Sequence, residues 1–505
     1  MAKSGFVGAM VWGQVWRVGE VALSLLFTVL VVRSLDEASF GVYSTIITFV
    51  TIMIFVLGLG LSDGLVRYVP VLNAREPAAP FRLFRLFLFI RLAVCLLGGI
   101  LIWFGRSWLS AVFNQPFFES DSGLLIIIVV LYNLTDLTGI FYSSLLWVKS
   151  IVVIRLAGQL STIVFVTVGF WLFQPSVPLL IAGLCLSNLW MVLASLLGKA
   201  RSGLRATLTP PSPVQRLPLR EIFSYSRVLW LINLATLGLL GQMDIFLLAL
   251  LTRDIQGIGF YSLAALLVGR LLVLLQAWST SLGSIVSTVY LEKGLPGLER
   301  YFVFYYRFSL PLQLIPMGGL ALVAGPFVGL VFGERYLQAV SLLAAMAWFQ
   351  VIYALLGNTI TTAFLNTLGR QRAALVWRCS CSLLNLALNL LFIPAWGPLG
   401  AVLGTGISLA LLHLLEGWLV RELFLKVRWS YILKIAGGVV SGAWLAGFIG
   451  GAFLPSLLGR GFFYLAYLLI FFLVTRPLTA QDLQLLHSIR PGAARILRHF
   501  SRTPA

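Results

Sequence analysis

The sequence predicts an all-α polytopic membrane protein of about fourteen transmembrane helices, arranged as two pseudo-symmetric six-helix lobes around a central cavity, plus two C-terminal helices. Three observations lead there. The 505-residue chain is 60% hydrophobic and only 10% charged, with a mean hydropathy of +0.98, where soluble domains carry about a quarter charged residues. Apolar runs of about 20 residues, the length a spanning helix needs, recur from end to end. Finally, the passage "DEASFGVYS" at Asp36–Ser44 returns as "RDIQGIGFYS" at Arg253–Ser262, with Gly41 matching Gly259, Tyr43 matching Tyr261 and Ser44 matching Ser262 at a constant shift of 218 (259 − 41).

The apolar runs place spans at 11–33, 43–66, 83–104, 123–146, 151–173, 177–198, 223–250, 258–284, 301–323, 337–361, 374–393, 399–421, 431–453 and 456–475. The polar breaks between them are short, apart from Lys199–Ile222. The pattern argues against a β-barrel, whose strands alternate apolar and polar residues over about 10 positions, because runs such as Leu124–Leu131 do not alternate.

A net charge of +19 raises the question of a nucleic-acid partner. Placement answers it. With the N-terminus set inside, 29 Lys and Arg fall on inner loops and tails, among them Arg67, Arg91, Arg155, Arg307 and Arg378. Only 5 fall outside: Arg33, Arg106, Arg253, Arg335 and Arg460. Arg17 and Arg270 remain within spans. This is the positive-inside asymmetry. It alternates correctly only for an even span count, so both termini are expected in the cytoplasm, and no nucleic acid is implied.

The shift of 218 is not isolated. Lys149 and Arg370 occupy like turns 221 apart (370 − 149), and so do Ser187 and Ser408 (408 − 187). Six spans therefore precede the Lys199–Ile222 break and six related spans follow it. An offset of six preserves direction, which makes the halves parallel repeats about an axis along the membrane normal. The expected organisation is an N-terminal lobe at 1–198, a cytoplasmic linker at 199–222, a C-terminal lobe at 223–430, two extra spans at 431–475, and a basic amphipathic tail at 476–505. The linker segment "LTPPSPVQRLP" (Leu208–Pro218) is too proline-rich for a helix interior. The tail is suited to lie on anionic lipid of the inner leaflet.

Several stretches resemble the polysaccharide-transporter branch of the multidrug/oligosaccharidyl-lipid/polysaccharide exporter superfamily, which includes the O-antigen flippases. They are "RSLDEASFGVYS" with "LGLGLSDGLVRYVP" (Leu57–Pro70), "GLVFGERYLQA" (Gly329–Ala339), and "NTLGRQRAAL" running into "NLALNLLFIPAWGPLGAVLGTGIS" (Asn385–Ser408). The resemblance covers essentially the whole chain, and fourteen spans fit this branch better than the usually twelve-span multidrug branch. It implies alternating access that moves an isoprenoid-pyrophosphate-linked oligosaccharide from the inner to the outer leaflet of a bacterial inner membrane, for surface polysaccharides such as the O-antigen of lipopolysaccharide. Glycan polymerases and glycosyltransferases would be its partners, along with membrane lipids. The "proline-asparagine" signature of the related lipid II flippases is absent, since the corresponding place reads "DGLVRYVPVLN".

Charges at bilayer depth persist mainly where they line a cavity or find a partner. Arg270 lies midway along span eight, about 18 Å from either end at 1.5 Å per residue. Its planar fork suits a pyrophosphate. On span one, Gln14, Arg17, Glu20, Ser24 and Thr28 form a polar stripe, so Arg17 and Glu20 are candidate cavity residues. Asn133 joins them, near the face of Asp136 on span four. Asp136, and Asp244 with Asn233 and Thr236 on span seven, are candidates for coupling to H⁺ or Na⁺; they serve equally well as neutralising partners of Arg17 or Arg270. Asp63 and Arg67 mark the inner end of span two as a helix-end or gate position.

Other features point to packing. Cys95, Cys185, Cys379 and Cys381 all lie in apolar spans and form no disulfide framework. His413 and Glu416 share a helix face but lack further ligands, since His487 and His499 are in the tail. The glycines of "LGLGLSDG" suit close packing or a bend. No P-loop, nucleophile elbow or zincin motif is visible, so neither enzyme activity, cofactor nor metal is expected. The competing functions are a multidrug cation antiporter, which would want acidic cavity residues, a lipid II flippase, a glycan polymerase or ligase, which would want a large outer loop, and a scaffold subunit of a glycan-assembly complex.

Overall fold

The computed structural model describes residues 2–198, 218–236, 241–275 and 282–475. Regular structure among them is entirely helical. The elements are α1 (Ala2–Ser34), α2 (Glu37–Gly58), α3 (Leu61–Arg75), α4 (Ala79–Phe104), α5 (Arg106–Phe113), α6 (Phe117–Ser120), α7 (Ser122–Ser144), α8 (Val148–Leu172) and α9 (Val177–Leu197). Then come α10 (Leu219–Thr236), α11 (Gly241–Leu251), α12 (Ile255–Leu275), α13 (Leu282–Phe332), a 3₁₀ turn (Glu334–Gln338), α14 (Ala339–Leu355) and α15 (Asn358–Thr367). The chain continues through α16 (Gln371–Leu419), α17 (Arg421–Phe424), α18 (Trp429–Gly447) and α19 (Phe453–Thr475). Most of the proline-rich linker (up to residue 217) and the basic tail lie outside the described residues.

Ten of these helices are long and apolar enough to cross a membrane. One of them, α16, folds back at Gly397, whose φ of +55° only glycine adopts readily, and so carries two predicted spans. The remaining predicted spans fall on α1, on the α10–α11 pair and on α18. Large apolar side chains on the outer faces, such as Phe104, Trp171 and Val474, are more than three-quarters exposed, which suits lipid and not water. The chain is a multi-pass membrane protein.

Helix starts follow local chemistry. The Asp36 side chain caps α2 by accepting from the Ser39 amide, and Asp254 accepts from the Gly257 amide at 2.8 Å at the head of α12. These two caps are again 218 residues apart (254 − 36). Span two breaks at Leu59 and Gly60, both left-handed, which ends α2 and starts α3. A Cβ on Gly60 would collide with the Ser226 carbonyl oxygen of α10. The break frees carbonyls at the end of α2, and Trp230 of α10 donates its indole N–H to those of Phe55 (3.0 Å) and Val56 (3.2 Å). The glycine-rich stretch is thus both a bend and a close contact.

The chain divides into two compact units, Met1–Ser262 and Leu263–Ala505. The division falls inside α12, not in the 199–222 segment, because α10 and α11 pack on α2 and α3. In the first unit the core gathers Leu61, Leu65, Phe84, Phe87, Phe141 and Tyr142, with Phe84 stacked on Phe141 at 4.1 Å between ring centres. In the second unit Phe302 meets Phe364 and Phe424 edge-on at 5.0 and 4.9 Å. The two additional helices α18 and α19 attach to α13. Tyr431 donates to the Arg307 carbonyl at 2.5 Å, and Tyr464 to that of Ile315 at 3.1 Å.

Candidate functional site

The broken span two turns polar side chains into the interior of the first unit. Arg91 enters α4 twelve residues from its start, about 18 Å along the axis, and is only 1% exposed. Its guanidinium donates to Asn133 Oδ1 at 2.8 Å and to Ser62 Oγ at 3.0 Å, and lies 3.7 Å from Asp136 Oδ2. Ser62 in turn donates to Asp136 Oδ2 at 2.8 Å. The Arg91 fork also packs against Gly58 at the α2 C-terminus, where the helix dipole places partial negative charge.

Two further groups extend the cluster. Arg155 of α8 packs over Gly139, one turn beyond Asp136 on α7, within electrostatic reach of Asp136 and of Glu20. On the other side, Asn233 of α10 donates to Asp63 Oδ2 at 3.1 Å, and Asp63 lies within electrostatic reach of Asp136. Asp136 keeps 30% of its side chain exposed and Asp63 is half-buried as well. The arginine is therefore sealed while both carboxylates keep an open side. The cluster brings together two carboxylates, a hydroxyl and an amide, flanked by arginines that never deprotonate.

The predicted residues are placed as follows. Asp136 stands beside Arg91 and Arg155. Asn133 is fully buried, with Oδ1 accepting from Arg91 and Nδ2 donating to the Val129 carbonyl at 2.9 Å. Arg17 and Glu20 are half-buried on α1. Farther along the same stripe Thr28 is buried and returns its hydroxyl to the Ser24 carbonyl at 2.7 Å. Asp244 is fully buried and accepts from Tyr261, itself buried, at 2.5 Å. Arg270 is half-buried on α12, and Arg67 is exposed at the far half of α3.

A family model described as "Polysaccharide biosynthesis protein" matches residues 16–287, more than half of the chain. The chain belongs to the polysaccharide biosynthesis protein family. Over 453 residues, 83% of this chain and 85% of the relative, it is 21% identical to an uncharacterized membrane protein of Methanocaldococcus jannaschii. Its fold is similar to that of the lipid II flippase MurJ in an inward closed conformation, with a TM-score of 0.67 and 14% identity over 92% of this chain and 99% of that one. It is also similar to an inward-facing multidrug resistance MATE family transporter of the MOP superfamily, with a TM-score of 0.59 and 17% identity over 82% of this chain and 96% of that one. The expected fold class is thereby confirmed.

Sequence reasoning missed several members of this family chain's polar interior. Arg91, Arg155, Arg307 and Arg378 were all counted as inner-loop charges, yet each lies within a long helix. In the second unit Arg378 pairs with Glu416 at 2.8 Å and donates to Thr362 at 3.1 Å. Glu416 is 2% exposed there, while His413 packs its ring on Tyr353. Asn385, fully buried, donates to Thr405 at 2.7 Å across the two limbs of α16, and accepts from Asn389 at 3.0 Å. No group of three or more His, Cys, Asp or Glu side chains able to hold a metal occurs among the described residues. The available signal was position: Arg91, Arg155 and Arg378 each fall inside a predicted span, and a charge there is itself a flag.

Proposed function

We propose that this protein is a flippase that carries an isoprenoid-pyrophosphate-linked oligosaccharide from the inner to the outer leaflet by alternating access, in surface polysaccharide assembly. The observation that carries the reading is a charged interior in a chain of the polysaccharide biosynthesis family: half-buried Arg17 and Arg270 on spanning helices, and the Arg91–Asp136 cluster. In this reading 1–198 and 223–430 are the two repeat lobes. Arg17 with Glu20 on α1, and separately Arg270 on α12, are candidates for the pyrophosphate, each arginine with paired N–H donors. Asp136, with Asp63 beside it, takes up the coupling H⁺ or Na⁺, and Asp244 is a second candidate. The protein sits in a bacterial inner membrane with both termini in the cytoplasm, next to the glycosyltransferases that build the cargo and the polymerase that consumes it.

A second reading, cation antiport, is favoured by one observation: the two half-exposed carboxylates Asp63 and Asp136. Liposomes decide between them. Reconstituted protein should expose a defined lipid-linked oligosaccharide to an outside lectin or hydrolase faster than protein-free vesicles, and Arg270→Ala should slow it. Efflux of an organic cation with no lipid transfer would replace the flippase reading with the antiporter.

A further inference from the structure

A cleft of about 870 Å³ opens in the first unit between the far half of α3 and the start of α10. It lies away from the Arg91–Asp136 cluster, toward the end of the unit where α3 closes and α4 begins. Its chemistry comes from Arg67 and Tyr68 on α3 and from Arg220, Glu221, Ser224 and Tyr225 on α10. Arg67 stands in the angle between two perpendicular rings, 4.3 Å from the centre of Tyr225 and 5.4 Å from that of Tyr68. Such stacking fixes the guanidinium plane and leaves its edge N–H groups for a ligand. Tyr68 donates to Glu221 Oε1 at 3.0 Å, which holds the acid against the wall. Arg220, exposed on the facing helix, adds a second cation.

We infer that this cleft receives the phosphate–saccharide junction of the carrier lipid before transport. The inference rests on the flippase reading and names where its cargo is first held. Two arginines on opposing walls match a doubly charged pyrophosphate, and a stacked Arg offers the planar fork that phosphate oxygens accept. The rest of the lining suits a sugar, with the half-buried Tyr225 ring beside the Ser224 hydroxyl and the Glu221 carboxylate, which can meet its hydroxyls. The volume lies in the range of small-molecule sites, about 300–1,000 Å³, so a first sugar fits beside the phosphates. Under the positive-inside assignment this end faces the inner leaflet, where the cargo is made.

The test uses the full chain in detergent micelles and a fluorescent short-chain isoprenyl pyrophosphate linked to one N-acetylhexosamine. The wild type should bind it, and Arg67→Gln with Arg220→Gln should weaken binding by about a hundredfold, since each charge-assisted contact contributes roughly a factor of ten. Arg67→Lys, which keeps the charge but loses the fork and the stack, should also weaken it. Phosphatidylglycerol nanodiscs should compete poorly. Unchanged binding by the double variant, in a protein whose wild type flips lipid-linked saccharide, overturns this inference and leaves the flippase reading standing. Equal competition by phosphatidylglycerol overturns it too, in favour of a general anionic-lipid site. A wild type that moves no lipid-linked saccharide overturns the transport reading on which it rests.

Discussion

Gly41 of α2 and Gly259 of α12 cross backbone to backbone. A Cβ on Gly41 would land on the carbonyl oxygen of Ile255, and a Cβ on Gly259 would come 2.6 Å from that of Glu37. The contact is reciprocal in register, because Ile255 precedes Gly259 by four residues as Glu37 precedes Gly41. The flanking serines Ser44 and Ser262 are equally buried, at 7%. The repeated motif is therefore a surface that meets its own copy, like the self-complementary patch of a two-fold dimer. From the sequence the repetition reports ancestry; in the structure it is also a packing requirement.

This crossing gives the first prediction. Gly41→Ala and Gly259→Ala should each destabilise the protein by about 1–3 kcal/mol, because the neighbour that must yield is main chain and not the end of a flexible side chain. Combined, the two should cost less than their sum, since one separation of the helices relieves both clashes. Thermal melting in detergent reads the effect. Unchanged melting for Gly41→Ala would mean that the helices do not approach this closely.

Arg91 supplies the second. Arg91→Met removes the donor to Asn133 Oδ1 and the cation beside Asp136, and leaves a buried amide acceptor unsatisfied, a loss of roughly 1–3 kcal/mol. Arg91→Lys should recover little, because one ammonium cannot serve Asn133, Ser62 and Asp136 in the fork geometry of a guanidinium. Melting temperature and the yield of monodisperse protein are the measurements, and full rescue by lysine would rule out the fork.

Asp136 separates a coupling role from a structural one. Asp136→Asn keeps an oxygen to accept from Ser62, so folding should persist. Ion-driven flipping in liposomes should fall at least tenfold, while transfer down a cargo gradient with no ion gradient should change far less. If both modes fall together and the protein melts earlier, the carboxylate is only a partner of Arg91 and Arg155.

Much of the architecture was legible before any coordinates. Composition fixes the solvent, run length fixes the span positions, and the 218-residue shift points to helices that turn out to be capped alike by Asp36 and Asp254 and packed on one another. The candidate site was legible only in part. Asp136 and Asp63 stand out as acids in apolar runs, but Arg91, the partner of Asp136, is absorbed into a loop count that assigns charges by side and not by depth. Nor could spacing pair Arg378 with Glu416, 38 residues on, because α16 doubles back at Gly397. Periodicity places residues on a helix face; which face meets which is decided by tertiary packing. The bend at Leu59–Gly60 belongs to the same class, since the glycines are visible but the Trp230 indole that donates to the freed carbonyls lies 174 and 175 residues away.

The Arg378–Glu416 pair carries the last prediction. Glu416 is almost fully enclosed while Arg378 is 35% exposed, so the two partners are not equivalent. Arg378→Met strands a carboxylate in a dry site, a loss of about 3–5 kcal/mol for a buried pair broken from one side. Glu416→Gln leaves an arginine with access to polar surroundings and an amide oxygen that still accepts, and should cost less. Removing both charges, as Arg378→Met with Glu416→Leu, should restore most of the stability, because well-packed apolar residues often replace a buried pair without loss. A double-mutant cycle on melting in detergent yields the coupling directly. If the double variant is as unstable as Arg378→Met alone, Arg378 acts through its bond to Thr362 on α15 and not through charge neutralisation. Restored stability without restored flipping would instead assign the pair to transport.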